Sequence, residues 1–134
     1  MLDFITDPFP VLTTERLVLR CVRLADAPAI FRIRSDEKVM KHIGRPRAEA
    51  IEDAVALIER NLTDQRENNG INWAITFHND DAVIGTIGFY RLKKEHFRGE
   101  VGYALHSDHW RKGIMREALK AVEQCGFEHF GFHS

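Results

Sequence analysis

At 134 residues, with a formal net charge of −1 and 29% charged residues, the chain has the length of one domain and no overall field to draw it to nucleic acid or an anionic membrane. Its 44% hydrophobic content is that of an ordinary globular protein, and no apolar run approaches the ~20 residues of a membrane-spanning helix. Cys21 and Cys125 have no paired spacing and the seven histidines are scattered, so reduced thiols and no metal site are expected.

The opening MLDFITDPFP carries acids where a secretory signal needs basic residues, so a cytoplasmic location is expected. RLVLRCVRL (16–24) alternates, with Leu17, Leu19 and Cys21 on one face and Val18, Arg20 and Val22 on the other, as in a strand with a buried face. Asp26, two residues before Pro28, reads as the N-cap of a short helix over AIFRIRS. In AEAIEDAVALIERNLTDQ the residues Ile51, Val55, Ile58 and Leu62 form one helical stripe, which should stop before Asn68-Asn69-Gly70. The period then changes to two. NWAITF (72–77) and AVIGTIGFYRL (82–92), joined by the polar HNDD, read as a hairpin, and EVGYAL (100–105) as a further strand. A last helix carries Ile114, Ala118, Val122 and Cys125, with Gly131 at its C′ position and Phe132 beyond as a Schellman-type end. The predicted order is β-α-α-β-β-β-α, an α+β (mixed α/β) fold with an antiparallel meander, in a single domain over residues 1–134.

The last helix begins unusually. HSDHWRKGIMREALKAV (106–122) puts Arg111, Lys112 and Arg116 at the helix end that the peptide dipoles already make positive. That placement costs stability unless an anion binds, and Gly113 lets a ligand approach the backbone. Residues 111–116, which include Ile114 and Met115, therefore form a candidate cradle for a phosphate or pyrophosphate. The same residues would also serve as a solvated basic turn. Neither GxxxxGK[ST] nor GxGxxG after a strand is present, which leaves nucleoside triphosphatase and dinucleotide-binding readings without support.

TERLVLR (14–20), DDAVIGTIGFYRL (80–92), EVGYAL (100–105) and WRKGIMREALKAV (110–122) together resemble, in order, successive blocks of the GNAT superfamily of N-acetyltransferases. They are most similar to its ribosomal-protein N-terminal (RimJ/RimL-like) branch. In that family a [QR]-x-x-G-x-[GA] loop holds the pyrophosphate of acetyl-CoA with its backbone N–H groups. Here Gly113 takes the glycine position, while Trp110 and Met115 depart from the first and last positions. The resemblance implies that Arg111, Lys112 and Arg116 meet coenzyme A. It also implies that Leu105 and His106 contact the pantetheine arm, with an N–H near Leu105 stabilising the thioester oxyanion. Amine acetylation needs a base, and Glu100, on the face of Gly102 and Ala104, is the candidate general base, acting through water. Its other reading is an edge carboxylate paired with Arg98. Tyr103, on the opposite face by alternation, is assigned to the core. Glu117 is assigned no chemistry, because an acid in a helix's first turn serves the dipole.

The expected function is acetyl-CoA-dependent acetylation of a primary amine, extending to a protein N-terminal α-amine. Acetyl-CoA is the cosubstrate, and no metal, nucleic acid or membrane is involved. Family members continue past the equivalent of Ser134 with a strand, a helix and two more strands, so a C-terminally truncated chain is expected. From this follow the alternative function, a non-catalytic acyl-CoA-binding or interaction module, and an unpaired strand edge that predicts a homo-oligomer.

Overall fold

The computed structural model describes residues 9–67, 69–93 and 98–130. Five strands, β1 (Leu12–Thr13), β2 (Leu17–Cys21), β3 (Ile71–Phe77), β4 (Gly85–Lys93) and β5 (Arg98–Leu105), form one sheet in the order β1-β2-β3-β4-β5. Every neighbouring pair is antiparallel. The helices are α1 (Ala27–Arg34), α2 (Glu37–Ile43), α3 (Ile51–Arg66) and α4 (Ile114–Phe130).

The helices cover opposite faces of the sheet. Ile114, Ala118, Val122 and Cys125 of α4, the stripe expected from their spacing, are each no more than 3% exposed. They pack on Leu17, Leu19, Trp73, Ile75 and Ile87. On the other face Val22, Ala74 and Ala104 meet Ile30 and Ile33 of α1 and Ala54 and Ile58 of α3. The central strand β3 therefore has layers on both sides, and its first six residues are all buried. Burial pushes the Cys125 thiol up to about 11, which makes it a core residue rather than a nucleophile.

Two elements go beyond the order expected from sequence. The two-residue β1 is too short to show a period. Helix α2 carries its own punctuation: the Asp36 side chain accepts from the N–H groups of Lys38 and Val39, and Gly44 closes the helix with φ 80°. Three local expectations are corrected. Asp26 does not cap α1 with its side chain. Instead it accepts the Arg23 N–H at 2.8 Å across a 3₁₀ turn, Leu24–Asp26, and pairs with Arg20 through two bonds of 2.8 and 2.9 Å. Arg20 and Arg23 also hold Asp81 of the β3–β4 loop, so one ionic cluster fixes the entry to α1. Ile51, the first residue of α3, is 41% exposed, and Ala54, one turn further on, stands in the core instead. Tyr103 lies on the α4 side as alternation requires, yet is 50% exposed, because no described strand or helix covers that end of β5. The expected helix end at Gly131 and Phe132 lies outside the described residues.

Candidate functional site

The turn from β5 into α4 is held in an uncommon conformation. Arg111 has φ 63° and Gly113 φ 74°, both left-handed, a cost that only the glycine escapes. An added Cβ at Gly113 would meet only Arg16 Nη2, at 3.5 Å, so its outer side is open. The first N–H groups of α4 have no acceptor within the helix, and they leave this turn together. Arg111, Lys112 and Arg116 surround them, all exposed and, among the described residues, unpaired.

A staple from the far end of the sequence holds the turn from behind. Arg16 Nη1 donates to the Lys112 carbonyl at 2.8 Å and Arg16 Nε to Glu117 Oε1 at 2.8 Å. Glu117 Oε2 also accepts the Arg16 backbone N–H at 2.9 Å and the Thr14 hydroxyl. Burial alone would raise the Glu117 carboxyl, but these donors hold it below the usual carboxylate range. Glu117 is thus ionised and positions the turn, a role more specific than the dipole effect expected of it. Trp110, in the first motif position, donates its indole N–H to the Leu105 carbonyl at 2.8 Å and fixes the other side of the turn.

The β5 backbone adds a row of polar groups. His106 N–H donates to the Ile84 carbonyl at 2.9 Å, with Leu105 opposite Gly85. Alternate residues of an antiparallel ladder face the partner strand, so Gly102 and Ala104 bond β4. The N–H groups of Val101, Tyr103 and Leu105 point to the side where, among the described residues, no strand pairs. A cavity of about 330 Å³ joins this edge to the turn. Six of the expected cofactor residues line it: Leu105, Arg111, Gly113, Ile114, Met115 and Arg116. Lys112 and His106 are not on its wall. His106 Nδ1 accepts the Asp108 N–H at 3.2 Å, and Nε2 lies 3.6 Å from Asp36. That carboxylate also accepts from the Ser107 N–H and hydroxyl, binding α2 to the end of β5.

His109, which sequence reading passed over, lines the same cavity, and its Nδ1 is buried without a hydrogen-bond partner. Burial, reinforced by Lys112 and His106, lowers its pKa, which favours a neutral ring. Glu100 stands opposite Tyr90 in the β4–β5 register; its side chain, and hence its pairing with Arg98, lies outside the described residues. No group of three or more His, Cys, Asp or Glu that could hold a metal occurs among the described residues, and none of the helices is long and apolar enough to cross a membrane.

Residues 16–134 match the family model described as Acetyltransferase (GNAT) domain. The chain is 38% identical over 123 residues to the uncharacterised N-acetyltransferase YoaA of Bacillus subtilis (strain 168), covering 92% of this chain and 70% of the relative. A crystal structure of a GNAT-family acetyltransferase from Bacillus anthracis superposes with a TM-score of 0.78 at 25% identity, covering 92% of this chain and 70% of that one. The fold is shared, at 16% identity and a TM-score of 0.70, with RimL, the ribosomal L7/L12 α-N-protein acetyltransferase, in complex with coenzyme A, covering 86% of this chain and 66% of that one. The chain belongs to the GNAT family of acetyltransferases, enzymes that transfer an acyl group to an amine. It spans 65 to 70% of the length of three curated relatives that it matches.

Proposed function

We propose that this chain binds acetyl-CoA in the 330 Å³ cavity and acetylates a primary amine. The observation that carries this reading is one cavity bounded by two complementary surfaces: the N–H groups and cations of the α4 turn, and the outward N–H groups of β5. The first suits a pyrophosphate. The second suits an extended amide chain, which adds to a sheet edge as a strand does. In this reading Arg111, Arg116 and the N–H groups from Gly113 to Arg116 take the pyrophosphate, with Lys112 adding positive charge. Val101 and Tyr103 pair with the pantetheine amides beside Met115 and Ile114. The Leu105 N–H donates to the thioester carbonyl oxygen, where negative charge grows as the amine attacks.

The amine must lose a proton. Glu100 is the assigned acceptor, through a water, while the thioester C–S bond breaks and the sulfur leaves as a thiolate that takes up a proton. The helix α1–α2 region, about residues 33–46, forms the acceptor side, as the family resemblance implies. A protein N-terminal α-amine is the acceptor that the RimJ/RimL resemblance suggests. The test is release of free thiol from acetyl-CoA by the purified chain across a panel of primary amines. Amine-dependent release with one acetyl group added per thiol is expected. Thiol release that ignores the amine, or none with any amine, would contradict the reading.

A further inference from the structure

A second cavity, of about 510 Å³, lies on the α1–α3 side of the sheet. It adjoins the first, since Ile43 and Tyr103 belong to both walls. Three arginines from three places in the chain converge on it: Arg34 at the end of α1, Arg45 after α2, and Arg60 on α3. Among the described residues none of the three makes an ion pair or side-chain hydrogen bond. Asp64, the one carboxylate on the described wall, pairs with none of them.

The contrast within the molecule is informative. Arg16, Arg20 and Arg23, which hold the fold together, each grip a carboxylate at 3.0 Å or closer. Arg34 is half-buried without one, and burial together with the charges of Arg45 and Arg60 pulls its pKa down. Gathering like charges around a partly buried guanidinium costs stability. That cost is recovered only if an anion enters, and the planar guanidinium fork suits a carboxylate or phosphate. Apart from Asp64, the rest of the described wall carries no charged side chain. Tyr90 donates its hydroxyl to Asn72 Oδ1 at 2.8 Å, and burial pushes its phenol up to about 12. Its ring lies against Gly102, where an added Cβ would fall 2.8 Å from Tyr90 Cε2. The ring takes the space a side chain at residue 102 would fill, and Tyr90 and Gly102 stand together on the cavity wall. Its volume is that of a small-molecule site.

Resting on the N-acetyltransferase reading above, we propose that this cavity receives a small primary amine bearing a carboxylate or phosphate, with Arg34, Arg45 and Arg60 holding the anion while the amine faces β5. Among primary amines this selects a small anionic amine over the protein N-terminus that the resemblance suggests and over a polyamine.

The experiment compares matched amines at saturating acetyl-CoA: β-alanine with β-alaninamide, phosphoethanolamine with ethanolamine, and, as competitors, spermidine and a neutral N-terminal peptide amide. The expected kcat/KM is at least about tenfold higher for one anionic member over its neutral partner, the usual strength of charge-assisted hydrogen bonds. The pair that shows it separates carboxylate from phosphate. Arg60→Gln, on the exposed side of α3, and Arg34→Gln should each shrink that preference, while acetyl-CoA affinity by calorimetry stays unchanged. Equal use of charged and neutral partners, better use of spermidine or the peptide, or a preference that survives the double substitution would overturn the proposal. Direct titration of phosphoethanolamine and β-alanine into the free protein separates the two readings. Binding that depends on Arg34 and Arg60 in a chain that fails to bind acetyl-CoA would sink the acetyltransferase reading and uphold the anion cavity. No binding of either anionic amine to a folded chain that does bind acetyl-CoA would sink the anion cavity alone.

Discussion

Replacing Glu117 by alanine would remove the centre of the staple behind the α4 turn, leaving the Thr14 hydroxyl, the Arg16 backbone N–H and the Arg16 guanidinium without their acceptor. The Arg16 side chain is 42% exposed and regains water, so the ion pair itself is worth at most about 1 kcal/mol. The hydroxyl and the backbone N–H add about 1 kcal/mol between them after partial rehydration. A loss of about 2 kcal/mol corresponds to a drop of roughly 6–10 °C in Tm for a chain of this size. The effect on binding is separate. Arg16 also holds the Lys112 carbonyl, and a guanidinium released from Glu117 no longer fixes the turn that carries the N–H groups. Acetyl-CoA affinity is therefore expected to fall about tenfold, or about 1.4 kcal/mol, with Glu117→Gln in between. Thermal unfolding and calorimetric titration measure the two effects. A lowered Tm with wild-type acetyl-CoA affinity would refute the positioning role and return Glu117 to an ordinary first-turn acid.

Acid should destabilise the fold through Asp26, Asp36 and Glu117. In each, burial raises the carboxyl, but hydrogen bonds from Arg20 and Arg23, from Ser107, or from Thr14 and Arg16 bring it below its ordinary value. A carboxyl depressed in the fold contributes stability that is full above its unfolded value of about 4 and is lost as pH falls through the lower folded value. Asp26→Asn should therefore cost about 1–2 kcal/mol at pH 7, because part-buried Arg20 loses one charged partner but keeps Asp81, and flatten the acid limb of a Tm-against-pH curve; an unchanged acid slope would contradict it. Glu100→Gln should lower kcat by about 10²-fold or more with little change in acetyl-CoA affinity, and an unaltered pH–rate profile would remove Glu100 from the chemistry. The edge of β5 that no described strand pairs, with Val101 37% and Tyr103 50% exposed, should associate with a second copy in light scattering at micromolar concentration. Acetyl-CoA should compete with that association, because in the proposed binding mode it takes the same N–H groups, and a monomer at every concentration without ligand would count against it.

The period of the sequence was enough to place the α4 stripe and the alternation of β2, β3 and β5, because each depends on neighbours a few residues apart. Arg111–Arg116 stood out for a similar reason: three cations at a helix start conflict with the local dipole. What was not legible was long-range. Arg16 and Glu117 are 101 positions apart, and neither motif indicates the other. Arg34, Arg45 and Arg60 belong to separate elements, so their convergence exists only once α1 and α3 pack on the sheet. Tyr103 shows a subtler limit, since alternation gives the face of a strand but not whether anything covers that face. Helix α2 is different: Asp36 and Gly44 are ordinary cap signals at the right spacing, readable locally and overlooked.

The most direct measurement is calorimetric titration of acetyl-CoA into the wild type and two variants of Gly113. Asparagine tolerates the left-handed φ of 74° better than most residues and adds no charge, whereas aspartate of nearly the same shape sets an anion among the N–H groups of the turn. If the turn holds the pyrophosphate, the wild type binds one acetyl-CoA per chain, Gly113→Asn binds more weakly, and Gly113→Asp loses about 100-fold or more relative to Gly113→Asn, with both variants folded. Equal affinities for the two variants, or wild-type affinity in Gly113→Asp, would contradict binding at this site.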